Sequence, residues 1–370
     1  MRIHVGQRRE RVLALVQERG SLRVAALADE LGVSAVTLRR DVEYLTAEGK
    51  LRRLHGAVVW PGAPAVDQQA DSTPSLEGGE AEGFMVGMIV PTRNYIFADV
   101  IRGAREAVEA AAGRLVLGMS GYAEEEDLRQ AEHLLASGAE GLLVAPSWYE
   151  GVPAPGQADW LLQSGIPVVL LERSAPPGNP VAGMDRVRTD RAYGAAMAVG
   201  HFARLGHRRV AALLQPGPHA NQVTEGFRAA VASLGMAAVP GMPYVFEYGA
   251  YDDVLDRLVT AVKDHGATAA LVHSDEDAII LVPRLRLRGI RVPEDLALIA
   301  YDDEVSELSE VPLTAVAPPK RAVGEYAAKL LITRLAEVRS GSPAGPRQHL
   351  NLLPELRVRE SCGVRSQEVN

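Results

Sequence analysis

Residues 269–303 read AALVHSDEDAIILVPRLRLRGIRVPEDLALIAYDD, and this stretch decides the fold. It begins with a short apolar run (269–274), continues through a segment that predicts a helix (275–288), and ends in a second apolar run (296–302). Two short apolar strands that are joined by a helix form a βαβ unit, in which the strands are parallel. The stretch therefore predicts an α/β fold.

The same alternation of apolar runs and amphipathic segments extends back to residue 84. Six further strands are predicted at 84–91, 114–120, 141–146, 167–172, 208–214 and 243–248. Five further helices are predicted at 97–112, 124–137, 190–205, 222–234 and 250–265. Eight strands exceed one comfortable open sheet, so we expect two similar Rossmann-like lobes. Ligands of such sheets bind in a cleft beyond the carboxyl ends of the strands.

Composition limits the class of protein. The chain of 370 residues has 47% hydrophobic and 23% charged residues, which is ordinary for a globular protein. Its single cysteine, Cys362, cannot form an internal disulfide or a thiolate-rich metal site, which favours a reducing cytoplasm. The N-terminal residues are charged and no apolar run approaches the ~18 residues of a membrane span. We expect a cytoplasmic protein without a membrane partner.

Charge is distributed unevenly along the chain. Residues 1–60 carry 11 basic and 7 acidic residues, a net charge of +4, although the whole chain has a net charge of -8. A small basic segment on a large acidic one is typical of a module that binds a polyanion such as nucleic acid. Between them, residues 61–83 are rich in Pro, Gly, Ser, Asp and Glu, which predicts a flexible linker.

Residues 1–60 predict a winged helix-turn-helix domain. One apolar helical face ends at Gly32, a second helix begins at the N-cap residue Ser34 and ends near Gly49, and 50–60 predicts a β-hairpin wing. Such a second helix presents polar groups to a major groove, and the wing contacts phosphates. The candidate DNA-binding residues are Ser34, Thr37, Arg39, Arg40, Tyr44, Arg52, Arg53 and His55. The alternative is a helical dimerisation module whose arginines are a solvated face.

A family resemblance favours DNA binding. Residues 8–57 contain VSAVTLRRD (33–41), LTAEGKLRR (45–53) and HGA (55–57), and they closely resemble the DNA-binding domain of the DeoR family of bacterial repressors. The resemblance implies double-stranded operator DNA as a partner.

Residues 84–360 contain six stretches that carry a second family resemblance. They are VGMIVPTRNYIFADVIRGAREAV (86–108), GAEGLLVAP (138–146), GIPVVLLERS (165–174), TDRAYGAAMAVGHFARLGHRRVAALL (189–214), SDEDAIILVPRLRLRGIRVPEDLALIAYDD (274–303) and PLTAVAPPKRAVGEYAAKLL (312–331). These stretches resemble the effector domain of the LacI/GalR repressors, which is similar to periplasmic sugar-binding proteins. The resemblance implies two lobes joined by three crossing segments, a homodimer, and a sugar-like effector in the cleft. Residues 361–370 remain as a polar tail.

The resemblance also places candidate ligand residues at strand ends. Aromatic rings there stack on sugar faces, and carboxylates accept hydrogen bonds from vicinal hydroxyl groups. For the apolar and aromatic residues the alternative is an ordinary core or loop position. The candidates are Asn94, Ile96, Phe97, Trp148, Tyr149, Glu172, His219, Asn221, Asp275 and Asp302.

One departure concerns the ligand class. Three residues before the Gly-Phe of TEGFRAA, sugar-binding members usually carry an arginine, and this chain has Val223. His219 or Asn221 supplies a donor without the geometry of a guanidinium. The acidic cleft is expected to repel anions unless Arg93 or Arg173 turns inward, so we expect a neutral polyhydroxylated effector.

Other classes of function fit less well. No nucleophile elbow, phosphate-binding loop or dinucleotide fingerprint is present, and His201 and His207 fall on different faces of a helix. We expect no enzyme activity, no cofactor and no bound metal. A ligand-responsive transcriptional regulator, most simply a repressor, is the prediction. The alternatives are a DNA-binding regulator whose second domain is a ligand-free dimerisation domain, and a cytoplasmic sugar sensor without direct repression.

Overall fold

The structure is a computed structural model that describes residues 11–13, 15–16, 21–23, 27, 42, 45, 50–54, 57–59, 83–93, 96–148, 151–247 and 249–363. The chain divides into two compact units, Met1–Gly79 and Glu80–Asn370, which we call the head and the body. The predicted linker falls outside the described residues except for Gly83, as does most of the polar tail. Within the described ranges, every helix is too short or too polar to cross a membrane.

The head contains a small antiparallel sheet. Its strands are β1 (Ser21–Arg23), β2 (Arg52–Leu54) and β3 (Ala57–Val59), in the order β1-β3-β2. Leu54 pairs with Ala57 across a two-residue connection, so the predicted wing hairpin is present. A buried cluster consists of Val12, Val16, Leu27, Val42, Leu45 and Leu51. Three of these, Leu27, Val42 and Leu45, belong to the helix faces that the sequence predicts to be apolar.

The first lobe of the body has a six-stranded parallel sheet in the order β15-β8-β7-β6-β4-β5. Three of its inner strands, β4, β6 and β7, are short runs mostly of Val, Leu, Ile and Met that are buried on both faces, as parallel strands between helices are. Its strands are β4 (Met85–Val90), β5 (Arg114–Met119), β6 (Gly141–Val144), β7 (Val168–Leu171), β8 (Asp185–Thr189) and β15 (His349–Leu352). Its helices are α1 (Ile96–Ala110), α2 (Glu124–Ala136), α3 (Asp159–Gln163) and α8 (Lys320–Ser340).

Helices α1 and α8 pack closely at two glycines. A Cβ atom on Gly103 would lie 1.9 Å from the Arg321 carbonyl oxygen, and one on Gly324 would lie 1.9 Å from the Val100 carbonyl oxygen. Only glycine permits such an approach of two backbones. The contact fixes α8 to the first lobe, although α8 follows the second lobe's strands in the chain.

The second lobe has a seven-stranded sheet in the order β10-β9-β12-β13-β14-β16, with β11 also paired to β9. Only β16 is antiparallel to its neighbour. Its strands are β9 (Arg209–Leu214), β10 (Ala237–Ala238), β11 (Tyr244–Val245), β12 (Ala269–His273), β13 (Ala297–Tyr301), β14 (Thr314–Ala317) and β16 (Glu355–Arg357). Its helices are α4 (Arg191–Arg204), α5 (Ala220–Ser233), α6 (Tyr251–Lys263) and α7 (Asp275–Leu287).

The chain crosses between the lobes three times, as the family resemblance implied. The crossings lie between β8 and α4, between β14 and α8, and between β15 and β16. All eight predicted strands are present, but the prediction at 243–248 is reduced to the two residues of β11. In the body, helices α3 and α8 and strands β8, β10, β14, β15 and β16 were not predicted from the sequence.

Candidate ligand site

A cavity of about 390 Å³ lies between the two lobes of the body. Loops that follow β4, β5, β6 and β7 line it from the first lobe, and loops that follow β9, β12 and β13 line it from the second. This is the carboxyl edge of both sheets, where open α/β folds bind ligands. The lining residues are Thr92, Phe97, Tyr122, Ser147, Trp148, Arg173, Gln215, Pro216, Gly217, Pro218, His219, Ala220, His273, Ser274, Glu276 and Asp302.

A buried arginine joins carboxylates from the two lobes. Arg191, the first residue of α4, donates from Nη1 to Asp302 Oδ1 at 2.9 Å, and its Nε lies 3.8 Å from Glu172 Oε2. Glu172 follows β7 in the first lobe and Asp302 follows β13 in the second. All three side chains are at most 5% exposed. The group thus forms an ion network between the lobes, directly behind the cavity.

The backbone of both acidic residues, Glu172 and Asp302, has an unusual φ angle. Glu172 has φ 54° and Asp302 has φ 91°, in the left-handed region that side chains disfavour. Such conformations cost about 1–3 kcal/mol each and occur mainly where surrounding contacts impose them. Thr189 supplies one such contact, because its backbone N–H and hydroxyl both donate to Glu172 Oε1.

The charge of Asp302 is maintained by its neighbours. Burial opposes ionisation, but Arg191, His273 and Lys320 outweigh it, so the pKa of Asp302 lies below its usual value. His273 Nε2 lies 3.6 Å from Asp302 Oδ2, and Lys320 donates to the Asp302 carbonyl oxygen. Burial lowers the pKa of Arg191, but the nearby carboxylates of Asp302 and Glu172 raise it by more, so the net shift is upward. Both groups are therefore ionised at neutral pH.

Arg173 is a second buried cation of the site and lines the cavity itself. Its Nε donates to the Pro146 carbonyl oxygen at 2.9 Å, and its Nη1 donates to the Glu172 carbonyl oxygen at 3.1 Å. Burial lowers its pKa to about 10 despite the opposing effect of the Glu172 carboxylate. Arg173 therefore stays protonated at neutral pH in surroundings that disfavour its charge.

A polar cluster within the first lobe positions Ser147, another residue of the lining. Asp127 Oδ2 accepts a hydrogen bond from the Ser147 backbone N–H at 2.6 Å, and Asp127 Oδ1 accepts one from the Ser147 hydroxyl at 3.1 Å. The Ser147 hydroxyl also lies 2.8 Å from that of Ser120. Burial raises the pKa of Asp127, and these hydrogen bonds oppose the shift. The cluster fixes the loop that carries Trp148.

Two buried histidines of the cavity lining have ring nitrogen atoms that lack a hydrogen-bond partner among the described residues. His219 and His273 both line it and are each 8% exposed. His219 Nδ1 and both ring nitrogens of His273 lack a hydrogen-bond partner among the described residues. Burial lowers the pKa of both rings; Arg191 and Arg173 lower that of His219 further, whereas Asp302 opposes the shift of His273. Neutral rings with unused nitrogen atoms are suited to hydrogen bonds with a ligand.

The structure brings some of the predicted ligand residues together and not others. Phe97, Trp148, His219 and Asp302 line the cavity, and Glu172 lies in the ion network behind it. Asp275 and Asn221 are not part of the lining. Asp275 accepts hydrogen bonds from the Glu304 and Val305 backbone N–H groups and from Ser306, and Asn221 is exposed on α5.

The remaining candidates are only partly described. Asn94 and Tyr149 lie outside the described residues, and Ile96 begins α1 without a described side chain. Val223 is fully buried in the core of the second lobe.

Two buried arginines, Arg173 and Arg191, lie at the site, whereas Val223 is uncharged and buried in the core. Sequence reasoning considered Arg173 only as a possibility and missed Arg191. Arg191 and Asp302 are 111 residues apart, and no spacing in the chain signals their pairing. Of the two arginines named in the sequence analysis, Arg93 is exposed and Arg173 is turned inward. The condition under which an anion is tolerated is therefore met.

Most of the predicted DNA-binding residues of the head lie outside the described residues. The residues that lie outside the described ranges are Ser34, Thr37, Arg39, Arg40, Tyr44 and His55. Arg52 and Arg53 lie in β2, at the wing, and only their backbone is described.

Comparison with protein families finds a match within each unit. Residues 8–62 match a DeoR-like helix-turn-helix domain, and residues 199–362 match a periplasmic binding protein-like domain. The chain joins a DeoR-like helix-turn-helix domain to a periplasmic binding protein-like domain. This two-domain protein has the predicted α/β fold and the predicted N-terminal DNA-binding type.

Known proteins share this arrangement over most of their length. The two-domain protein is 27% identical to an arabinose metabolism transcriptional repressor of Geobacillus stearothermophilus, over 90% of this chain and 89% of that one. It is 29% identical to the arabinose metabolism transcriptional repressor of Halalkalibacterium halodurans, over 92% and 90%. The transcription regulator CcpA of Lactococcus lactis has the same fold, with a TM-score of 0.61, 22% identity, and coverage of 75% and 99%. These relatives are regulators and not enzymes, in agreement with the sequence prediction.

Acid is expected to destabilise the body through His219. Its pKa in the folded state lies well below the usual 6.5, so the unfolded chain binds the proton first as pH falls, and stability is lost below about pH 6.5. Between pH 7.5 and pH 5.5 the loss from this residue is expected to be about 1.4 kcal/mol. Urea unfolding of the wild type and of His219→Gln checks this; equal pH dependence of the two would refute the assignment.

Proposed function

We propose that the protein is a ligand-responsive transcriptional repressor. In this proposal the head binds double-stranded operator DNA, and the interlobe cavity binds a small polyhydroxylated effector, in a cytoplasmic homodimer. The observation that carries the proposal is the presence, in one chain, of a DeoR-like helix-turn-helix domain and a body with a cavity between two lobes. The arabinose repressors, which are similar over about nine-tenths of the chain, support a sugar as the effector.

The composition of the cavity favours a polyhydroxylated ligand. Its volume of about 390 Å³ is in the range of small-molecule sites, which is roughly 300–1,000 Å³. Asp302 and Glu276 offer hydrogen-bond acceptors, and Phe97 and Trp148 offer aromatic surface. Ring nitrogens of His219 and His273 lack partners among the described residues, and buried polar atoms normally have them. A bound ligand that carries several hydroxyl groups would satisfy these atoms.

The residue at position 223 favours the second candidate, a DNA-binding regulator with a ligand-free body. Sugar-binding members of the resembled family usually carry an arginine there, and this chain has a buried valine. The buried charges and unpartnered nitrogens around the cavity oppose this candidate, since a ligand-free body gains nothing from them. The two candidates differ in whether any small molecule changes DNA affinity.

DNA binding by the head is expected to depend strongly on salt. Arg39, Arg40, Arg52 and Arg53 are proposed to neutralise phosphates, and each neutralised phosphate releases counterions. Arg52→Ala should weaken binding to all sequences alike, whereas Thr37→Ala should also change base preference. Gel shifts with the DNA upstream of the protein's own gene, over a salt series and with a sugar panel, test the proposal. Absence of affinity for any duplex would remove the repressor function.

The full-length protein is expected to be a dimer at micromolar concentration. Operators of helix-turn-helix proteins have two half-sites, and a two-fold symmetric protein matches them. Sedimentation velocity measures the mass directly. A monomer at a protein concentration 10-fold above the dissociation constant of the DNA complex would contradict the proposed assembly.

A further inference from the structure

Arg173 is a buried charge that forms no ion pair within 4 Å with the described residues. It follows β7 and is 1% exposed. Its hydrogen bonds go to two backbone carbonyl oxygens, those of Pro146 and Glu172. Within the described part of the chain, no carboxylate lies within 4 Å of its guanidinium nitrogens, although Arg191 a short distance away pairs with Asp302 at 2.9 Å. The site therefore contains one neutralised and one unneutralised buried arginine.

Such a cation is unfavourable unless something compensates it. Removal of a guanidinium from water carries a desolvation penalty that neutral carbonyl groups do not fully offset. Its lowered pKa has this origin. Since Arg173 lines the cavity, an anionic ligand would reach it directly. Its planar group offers paired N–H donors, the arrangement that matches a carboxylate or a phosphate.

The opposite wall of the cavity provides a second anion-binding feature. Helix α5 begins at Ala220, and residues 217–220, which lead into its first turn, line the cavity. This helix has 14 residues, no acidic residue in its first turn, and no side-chain hydrogen bond from its N-cap residue, His219. The N-terminus of a helix attracts anions through its dipole and its free N–H groups. The buried ring of His219 adds Nδ1, which lacks a partner in the described structure.

The acids of the cavity lie at other strand ends. Glu276 and Asp302 follow β12 and β13, whereas His219 follows β9, so His219 and the two acids lie at the ends of different strands of the second lobe. Asp302 is already paired with Arg191, and Glu276 is surrounded by the acids Asp275, Asp277 and Asp302. The cavity lining thus combines the buried cation Arg173 and the ring of His219 with the acceptor oxygens of Asp302 and Glu276.

We propose that the effector is a polyhydroxylated anion whose carboxylate or phosphate binds between Arg173 and His219 while its hydroxyl groups donate to Asp302 and Glu276. This inference rests on the proposed function, because it assigns a charge to the effector of the same cavity. It replaces the neutral ligand expected from the sequence, because that expectation required Arg173 to stay out of the cleft.

Calorimetry on the full-length protein tests the charge. Each pentose and hexose of a panel is compared with its own terminal phosphate and with its aldonate, so that carbon skeleton is matched and only the anion differs. We expect one of the anions to bind at least about 30-fold more tightly than its uncharged sugar, the effect of a buried charge pair. Phosphate and aldonate form separate arms, and the tighter arm identifies which anion the site accepts.

Arg173→Met is expected to remove this preference, so that the anion and its uncharged sugar bind with similar affinity. Arg129→Met is the matched control, because Arg129 is exposed on α2, pairs with Glu126, and lies outside the cavity lining. His219→Phe is a second variant in case Arg173→Met does not fold, and it should reduce the preference for the anion. A neutral sugar that binds wild type more tightly than both anions would overturn the inference and leave the proposed function intact. Failure of every compound would overturn both.

Discussion

Replacement of Arg191 by methionine is expected to lower the free energy of unfolding of the body by about 3–5 kcal/mol, which is the usual cost of removing one partner from a buried ion pair. The change leaves Asp302 and Glu172 buried and facing each other without a cation between them. Because these carboxylates belong to different lobes, their repulsion also opposes closure of the cleft. Chemical unfolding of the full-length protein measures the loss.

Two further variants separate this effect from a general loss of charge. Arg129→Met removes an exposed arginine from an i,i+3 pair with Glu126 and is expected to change stability by less than about 0.5 kcal/mol. In the double variant Arg191→Met/Asp302→Asn, one of the two uncompensated charges is absent, so the loss should be smaller than the sum of the single losses. A loss below about 1 kcal/mol for Arg191→Met would show that the network contributes little to the contact between the lobes.

Asp302→Asn is expected to weaken effector binding at least about 30-fold. The carboxylate lines the cavity and is held ionised by Arg191, so the amide loses both its charge and one acceptor. DNA affinity without effector should persist, because the proposed DNA contacts belong to the head. Calorimetry with the effector that the wild type binds gives the affinity of the variant.

Asp303→Asn is the matched control for this substitution. Asp303 is the next residue, also has a positive φ, and is also buried in ion pairs, with Arg357 and Arg359. It does not line the cavity. Equal losses of effector affinity in the two variants would assign the effect to local unfolding and not to a ligand contact.

The sequence predicted most of the strands that are continuous apolar runs, although it missed β14, and it also missed strands with charged residues such as β8. Strands β4, β6, β7 and β12 are buried on both faces, so their composition alone identifies them. Strand β8 reads DRVRT, and its Asp185 is buried only because Arg334 and Arg347 neutralise it. That arrangement depends on residues about 150 positions away in the chain, and no local pattern reports it.

The same distinction applies to the candidate site. Position after a strand placed Trp148, Glu172 and Asp302 at the cleft, because all strand ends of a parallel sheet meet at one edge. Which acid of the segment 274–277 faces the cavity could not be predicted, since Asp275 holds the loop 304–306 and Glu276 lines the cavity. Arg191 was missed because a long side chain at the start of a helix does not signal a partner that is 111 residues away in the chain.

The central claim is that occupancy of the interlobe cavity controls DNA binding by the head. The most direct test is the affinity of the full-length protein for the DNA upstream of its own gene, measured with and without saturating effector, in wild type, Asp302→Asn and Asp303→Asn. The account predicts that effector changes the DNA affinity of wild type and Asp303→Asn by about 10-fold or more, a coupling of roughly 1–3 kcal/mol, and leaves Asp302→Asn unaffected at the same concentration. An equal response in all three proteins, or none in wild type, would contradict it.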